Sequence, residues 1–195
     1  MKTAFRLVQM AAPALAAAAL GLGAGRPAAA QQIEFLSVDP GIEVSVDVAA
    51  TVAPRKLRAG EFGRIKVEVE ISPPWYIYAL TSDPDNGPPT KILLETDALW
   101  VLPDRYESMP IIEMHVPTRT VYRYHKARGV FWVDVQARGR TPIGPLEIAG
   151  EVVYAACNGK ICLPERRVPF IVQLAVERGA VRDAYKLRLP QPFGE

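Results

Sequence analysis

The sequence predicts an all-β fold built as an antiparallel sandwich of two sheets. Three observations lead to this fold class: apolar residues recur at every second position in several segments, prolines and glycines separate those segments, and no convincing amphipathic helix lies between them. A period of two is typical of strands that have one buried and one solvated face. Many short strands between turn residues are typical of a sandwich.

The chain begins with the pattern of a secretory signal peptide. Lys2 and Arg6 precede an Ala/Leu-rich run that ends in the small residues 28–30. We therefore expect residues 1–30 to be cleaved and residues 31–195 to form one exported domain. The alternative, an uncleaved membrane anchor, is less favoured because glutamine, proline and glycine residues interrupt the apolar run.

Loss of the signal peptide changes the charge balance. The full chain has 23 Lys and Arg against 21 Asp and Glu, and removal of the three cations within residues 1–30 leaves 20 against 21. A nearly neutral surface gives no reason to expect nucleic acid or an anionic membrane as a partner. No later segment approaches the ~20 apolar residues of a membrane span, so the mature protein is not expected to be membrane-embedded.

The clearest strand covers residues 64–71, where Ile65, Val67, Val69 and Ile71 alternate with polar residues. Further strands are predicted, in chain order, at residues 43–52, 75–80, 91–95, 111–116, 129–137, 146–157 and 167–175. Most of the 18 prolines fall between these segments, as expected for a residue that cannot donate a hydrogen bond to a sheet. The tail either forms a short helix around residues 183–187 or stays extended.

The only two cysteines, Cys157 and Cys162, flank Asn158-Gly159, a dipeptide that tolerates positive φ and favours a hairpin turn. A four-residue loop would place the cysteines directly opposite each other, with Cα atoms roughly 5.5 Å apart. A two-residue turn would instead pair Cys162 with Ala155 and make the cysteines diagonal neighbours on one face. Spacing leaves both registers open, and either keeps the two sulfurs together.

Two interpretations of this cysteine pair follow from the residues. A structural disulfide closing a loop of about six residues would stabilise the fold by only roughly 2 kcal/mol, and a domain of this size does not need it. A redox pair at a hairpin tip would have accessible sulfur and a nearby second thiol, and Lys160, Arg166 and Arg167 would favour thiolate. Spacing alone does not separate the two interpretations.

The string YAACNGKICLPE at residues 154–165 resembles the active-site hairpin of the N-terminal periplasmic domain of DsbD, a transmembrane thiol-disulfide reductase. Upstream, SPPWYIYAL at residues 72–80, followed by NGPPTKILLE at residues 86–95, resembles the early strand pair of that domain. The similarity covers about residues 42–176. It implies an immunoglobulin-like β-sandwich with inserted loops, located in the periplasm.

The resemblance also implies roles for individual residues. Cys162 matches the family cysteine that bonds the partner, which leaves Cys157 to resolve the mixed disulfide. Tyr76 and Tyr78 share one face of their strand, and tyrosines on this strand lie close to the cysteine pair in the family. The alternative role for these tyrosines is ordinary aromatic packing in a sandwich.

Apart from the strand at 111–116, residues 103–126 are expected to be irregular. In the resembled family a loop here, with an aromatic and acidic residues, caps the disulfide and moves aside for a partner. This chain has no clear acidic-acidic-Phe-Tyr-Gly string, so its cap would be built differently. Tyr122 and Tyr124 are the candidate cap residues. An ordinary surface loop is the alternative.

Metal and cofactor chemistry finds little support in the sequence. His115 and His125 precede the cysteines at a spacing that matches no familiar zinc pattern, although two sulfurs could hold copper(I). The chain has no Gly-rich phosphate loop, GxSxG elbow or HExxH motif. We therefore predict no metal and no cofactor.

These observations predict an exported thiol-disulfide exchange protein, a protein-disulfide reductase acting through Cys157 and Cys162. DsbD joins the resembled domain to a membrane electron conduit and a thioredoxin-like domain, neither of which is found in these 195 residues. The expected partners are therefore periplasmic thioredoxin-like proteins and a separate membrane electron donor, in pathways such as cytochrome c biogenesis. The alternative is a non-catalytic immunoglobulin-like binding module whose disulfide only rigidifies a loop.

Overall fold

The structure is a computed structural model that describes residues 44–186, so the predicted signal peptide lies outside the described residues. Strands dominate, and the two short 3₁₀ turns are Pro84–Asn86 and Asp183–Tyr185. The strands are, in chain order, β1 (Val46–Ala53), β2 (Lys56–Arg58), β3 (Phe62–Ile71), β4 (Tyr76–Tyr78), β5 (Lys91–Glu95), β6 (Leu99–Glu107), β7 (Ile111–His115), β8 (Thr120–Lys126), β9 (Arg128–Ala137), β10 (Gly144–Tyr154), β11 (Ala156–Cys157) and β12 (Arg166–Glu177). Within this part of the chain, no helix is long and apolar enough to cross a bilayer.

The strands form three sheets of four strands each. The first sheet has the order β1-β3-β9-β6, the second β2-β12-β10-β5, and the third β11-β4-β8-β7. Every strand pair is antiparallel except β2 with β12, which is parallel. The predicted antiparallel, immunoglobulin-like β-sandwich class is confirmed by the first two sheets, and the third sheet is added to them.

The core lies between the first and second sheets and follows the period-two pattern of the sequence. On β3, Ile65, Val67 and Val69 are fully buried, whereas the intervening Lys66 and Glu68 are only partly buried. The second sheet supplies an equivalent apolar face, which includes Ile148, Val152 and Val172 from β10 and β12, and the two faces belong to one hydrophobic cluster. Burial of these side chains, at about 25 cal/mol per Å², is the main stabilising contribution to the sandwich.

A buried carboxylate ties the segment after β12 to the sandwich. Glu61, whose side chain is fully buried, accepts hydrogen bonds from the backbone N–H groups of Arg58 and Arg182, at 2.9 and 2.7 Å. The guanidinium of Arg182 also donates from Nε and Nη2 to the two carboxylate oxygens, at 2.9 and 2.6 Å. The hydrogen bonds from the Arg182 side chain lower the pKa of Glu61 to about 2, against the opposing effect of burial.

The strand predicted at residues 111–116 is observed as β7, but the prediction that the rest of residues 103–126 is irregular was wrong. This range also contains the end of β6 and all of β8, neither of which was predicted. The period-two signal of β8 is weak because this strand carries half-buried polar and aromatic residues on both faces. On β6 a shift in the pairing with β9 between Val101 and Arg105 interrupts the pattern. The short strand β2 was also not predicted.

The hairpin that carries the cysteines spans two sheets. β10 and β12 pair from Gly144 opposite Val176 up to Tyr154 opposite Arg166, within the second sheet. Beyond this pair the chain leaves that sheet, and β11 pairs with β4 in the third sheet, where Cys157 lies opposite Tyr76. The third sheet therefore positions the cysteine turn, defined here as residues 156–163.

Candidate functional site

The cysteine turn contains a disulfide and has the four-residue register. Cys157 and Cys162 form a cross-strand pair, and their sulfurs are 1.99 Å apart. The Asn158 N–H donates to the Ile161 carbonyl at 3.1 Å, and the Leu163 N–H donates to the Ala156 carbonyl at 2.8 Å. These bonds exclude the alternative in which Cys162 pairs with Ala155.

Local hydrogen bonds and backbone conformation fix the tip of this turn. The Asn158 side-chain oxygen accepts from the backbone N–H groups of both Lys160 and Ile161, at 3.0 Å each. Gly159 has φ of +84°, in the region that favours glycine. The Asn-Gly dipeptide therefore shapes the tip as the sequence predicted, and the position of Cys162 follows from it.

The two halves of the disulfide differ in accessibility. Cys157, on β11 of the third sheet, is fully buried, whereas Cys162 is an exposed residue. Thiol-disulfide exchange requires a nucleophile to approach one sulfur along the S–S axis, so accessibility determines which sulfur is attacked. Of the two cysteines, Cys162 is therefore the one that an incoming thiolate could reach.

A groove of about 430 Å³ adjoins Cys162 on the face of the third sheet, and we call it the tyrosine groove. Its walls come from β4, β7, β8 and the cysteine turn. The lining residues are Tyr76, Tyr78, Glu113, His115, Tyr122, Tyr124, Gly159, Lys160, Ile161 and Cys162. The four tyrosines that the sequence analysis selected thus lie in one groove with Cys162.

The tyrosine rings pack against one another. The ring of Tyr76 lies 4.7 Å from that of Tyr124 and meets that of Tyr78 edge-on at 5.8 Å, measured between centroids. Tyr78 is nearly buried and its ring lies against Gly87, where an added Cβ would come within 2.1 Å of it. Burial raises the pKa of Tyr78 to about 12, with a smaller contribution from Tyr76, so this hydroxyl stays neutral at physiological pH.

Tyr124 connects the two strands of the groove's outer wall. Its hydroxyl donates to the Glu113 carboxylate at 3.0 Å, from β8 to β7. Burial and this hydrogen bond both raise the pKa of Tyr124, so it acts as a neutral donor that holds Glu113 in place. The sequence analysis considered His115 only as a metal ligand and did not select Glu113 or His115 as site residues. The cross-strand pairing of Glu113 with Tyr122 places them beside the tyrosines.

Of the three cations that the sequence analysis assigned to the cysteine environment, only Lys160 lines the groove. Arg167 pairs with Glu151 on β10, at 2.8 Å, which compensates its charge. Lys160 is therefore the cation best placed to favour a thiolate on Cys162. Among the described residues, no three His, Cys, Asp or Glu side chains are arranged to hold a metal ion.

Sequence reasoning missed the group that anchors the third sheet to the first. Glu107, at the end of β6, accepts from the Leu80 and Thr81 N–H groups at 2.8 and 3.1 Å and from the Thr81 hydroxyl at 2.6 Å. His125 Nε2 lies 3.0 Å from the same carboxylate and donates to it, since an ionised carboxylate can only accept. The His125 ring also meets Phe131 of β9 edge-on at 5.2 Å. Burial opposes the ionisation of Glu107, but the hydrogen bonds outweigh it and lower the pKa of the carboxyl group.

Comparison with known proteins gave structural matches only. No protein-family model and no curated protein sequence matches the chain. Among solved structures it is similar to the DsbD N-terminal domain of Neisseria meningitidis, with 12% identity, a TM-score of 0.39, and coverage of 60% of this chain and 80% of that one. It is also similar to the N-terminal periplasmic domain of ScsB from Proteus mirabilis, with 14% identity and a TM-score of 0.43, over 71% of this chain and 49% of that one. A third similar structure is the major pilin subunit BcpA of Bacillus cereus, with 9% identity and a TM-score of 0.36, over 66% and 40% of the two chains. The domain that the sequence resemblance names is thus among the solved structures similar to this chain, and at these identities the likeness concerns the fold alone.

Proposed function

We propose that this protein is an exported thiol-disulfide exchange protein that carries electrons through the Cys157/Cys162 pair. The observation that supports this most directly is the unequal exposure of the disulfide, with Cys162 open at the rim of the tyrosine groove and Cys157 buried. A structural staple needs neither an exposed sulfur nor an adjacent groove. An exchange protein needs both, because its partner must reach one sulfur and be held there.

The reaction proceeds in two displacement steps. In the reduced protein, the Cys162 thiolate attacks one sulfur of the partner's disulfide, forms a mixed disulfide and releases the partner's other sulfur as a thiolate. Cys157 then loses its proton and attacks the Cys162 sulfur, which restores the intramolecular disulfide and releases the partner's second thiolate. Two electrons pass to the partner, which is reduced while this protein is oxidised.

The groove residues assist the exchange reaction in three ways. Lys160 favours the thiolate form of Cys162 by its positive charge. Tyr76, Tyr122 and Tyr124 offer aromatic rings against which the partner's chain beside its cysteine can pack. Tyr78 lies deeper, and its role is to support the rings in front of it.

The partners we propose are periplasmic thioredoxin-like proteins on one side and a separate membrane electron donor on the other. The periplasm, reached by cleavage of the predicted signal peptide, is the proposed location, because disulfide exchange operates there without the reducing cytosolic thiol pool. Sequencing the N-terminus of the exported protein tests this, and the expected first residue is Gln31.

The reduction potential of the pair tests the proposal. Mature protein is equilibrated with glutathione redox buffers, and its thiols are trapped and counted. A potential between about −120 and −270 mV, the range of exchange proteins, is expected. A potential below about −300 mV marks a structural disulfide and would overturn the proposal in favour of a binding module.

Single cysteine variants test the order of attack. Cys157→Ser leaves Cys162 as an exposed thiol, and we expect it to form a stable mixed disulfide with oxidised glutathione, detected as an added mass. Cys162→Ser is the matched control and should react much more slowly, because Cys157 is buried. Equal rates for the two variants would contradict the assignment of Cys162 as the attacking sulfur.

A further inference from the structure

Strand β7 has an unpaired edge that nothing in the proposed redox chemistry uses. It is the last strand of the third sheet and pairs only with β8 among the described strands. All five of its residues are exposed. An exposed edge strand presents free backbone N–H and C=O groups that can pair with another strand.

The two faces of β7 differ in chemistry. Glu113 and His115 point to the face that carries the tyrosine groove, since both line it. Ile112 and Met114 alternate with them and so lie on the opposite face, followed by Val116 just beyond the strand. These three side chains are 61%, 62% and 76% exposed, which makes them a continuous apolar row rather than an isolated apolar residue.

Two other sheet edges, those of β6 and β5, are better protected. β6 carries Pro103 and a register shift after Val101, and both interrupt the regular pairing that a neighbouring strand would need. β5 begins with Lys91 and ends with Glu95, and charges at an edge oppose association. The edge of β7 is flanked by Pro110 and Pro117, but between them it has neither a proline nor a shift in its pairing with β8.

We propose that β7 pairs antiparallel with β7 of a second copy of this chain, about a two-fold axis at Met114. In this register Glu113 lies opposite His115 of the second copy, and Ile112 lies opposite Val116. Each contact occurs twice because of the symmetry, so the row of apolar residues and the polar Glu113–His115 contact are both self-complementary.

Neighbouring symmetric registers are poorer. An axis at Glu113 sets the two Glu113 carboxylates against each other, and directly opposed like charges destabilise a strand pair. An axis at Ile112 brings Pro110 opposite Met114 and leaves Glu113 opposite Ile111. The axis at Met114 is therefore the register in which the apolar contacts on one face and the Glu113–His115 contacts on the other are both favourable.

This dimer would extend the groove described above. A two-fold axis between antiparallel edge strands is perpendicular to the sheet, so the two third sheets join into one sheet of eight strands. The two tyrosine grooves then lie on the same face, and each gains His115 of the other copy beside its own Glu113. The proposal does not depend on the redox role, because it concerns backbone pairing and not the sulfurs.

Sedimentation equilibrium of the mature protein tests the proposal in a Cys157→Ser/Cys162→Ser background, where no disulfide can link two copies. A single edge pair buries less surface than a standard interface, so we expect a weak dimer with a dissociation constant in the micromolar range or above. If the protein remains monomeric up to millimolar concentration, the proposal is overturned. A different protein would then be the binding partner of the apolar row.

Introduced charges test the register. His115→Glu places two carboxylates opposite each other and should raise the dissociation constant about tenfold, since the contact occurs twice. The double variant Glu113→Lys/His115→Glu sets opposite charges across the axis and should recover most of the affinity. Failure of the double variant to recover would refute this register.

Met114→Lys tests the position of the axis, because it sets two ammonium groups against each other and should abolish the dimer. Ile171→Lys on β12 is the matched control, since Ile171 is 61% exposed and lies far from β7 in the topology. It should leave the dimer unchanged. Circular dichroism checks that both variants are folded. The proposal would be contradicted if both variants lose the dimer to the same extent, or if neither variant loses it.

Discussion

Replacement of Glu107 by glutamine tests how the third sheet, and with it the cysteine turn, is held to the sandwich. Each oxygen of the Glu107 carboxylate accepts two hydrogen bonds, one oxygen from Leu80 and His125 and the other from two groups of Thr81. The carboxylate and the imidazole are nearly buried, with side chains 7% and 2% exposed. Glutamine has the same shape but keeps only one acceptor oxygen. Its NH₂ group would replace the other oxygen and would face the hydrogen-bond donors that this oxygen accepts from.

The magnitude follows from these contacts. Hydrogen bonds to a charged acceptor contribute about 1.5–3 kcal/mol each. Because Gln retains half of the acceptor capacity, we expect Glu107→Gln to lower the free energy of unfolding by about 2–3 kcal/mol. Glu113→Gln is the matched control: its carboxylate is exposed and accepts the single hydrogen bond from Tyr124, so a loss below about 1 kcal/mol is expected.

Urea unfolding of the two variants and the wild type, followed by fluorescence, measures these differences. The pKa of Glu107 is lowered in the folded state, so its contribution is complete above the ordinary value of 4.5 and is lost as the pH falls below it. The gap between wild type and Glu107→Gln should therefore close on acidification. A loss no larger than that of Glu113→Gln at neutral pH would refute the view that Glu107 anchors the third sheet.

Three further predictions concern stability. Glu61→Gln should cost about 3 kcal/mol at neutral pH, because the folded-state pKa of Glu61 is about 2 against an ordinary 4.5, and the cost should vanish between pH 4.5 and 2 in acid-unfolding curves. Gly87→Ala should lower the free energy of unfolding by about 1–3 kcal/mol, since the added methyl group meets the ring of Tyr78 and the φ of residue 87 is +147°. An unchanged melting temperature would contradict this prediction. Cys157→Ser/Cys162→Ser should remain folded and lose only about 2 kcal/mol, and failure to fold on calorimetry would mark the disulfide as structural.

The strands that sequence analysis located best are those with one face in the core. On β3, Ile65, Val67 and Val69 alternate with partly buried polar residues, and the predicted range matched the strand to within two residues at its start. β5 was predicted with its observed bounds. β8 of the third sheet was missed, because its residues are of intermediate burial on both faces and the period-two signal reports burial on one face. β7 was predicted at residues 111–116 and is observed at Ile111–His115, although it is exposed along its whole length.

In the cysteine turn, too, the sequence predicted one feature, and the structure decided another. Asn158-Gly159 between two cysteines was sufficient to predict a hairpin tip with both sulfurs together. The choice between two registers depended on backbone pairing that residue types do not specify, and the structure has Cys157 opposite Cys162. The positions of the two cysteines in the third sheet also differ, since Cys157 pairs with Tyr76 of β4 on one side and with Cys162 on the other, and Cys157 is buried while Cys162 is exposed.

The sequence by itself determined the all-β class, the core strands and the cysteine pair, because each of these follows from local alternation, turn residues or short spacing. The tertiary structure alone decided that Tyr76, Tyr78, Tyr122 and Tyr124 share a groove with Cys162, and that Glu107 anchors the sheet on which they lie. These contacts join segments that are far apart in the chain. Which of them meet is set by the register and order of the strands, and no local pattern encodes that order.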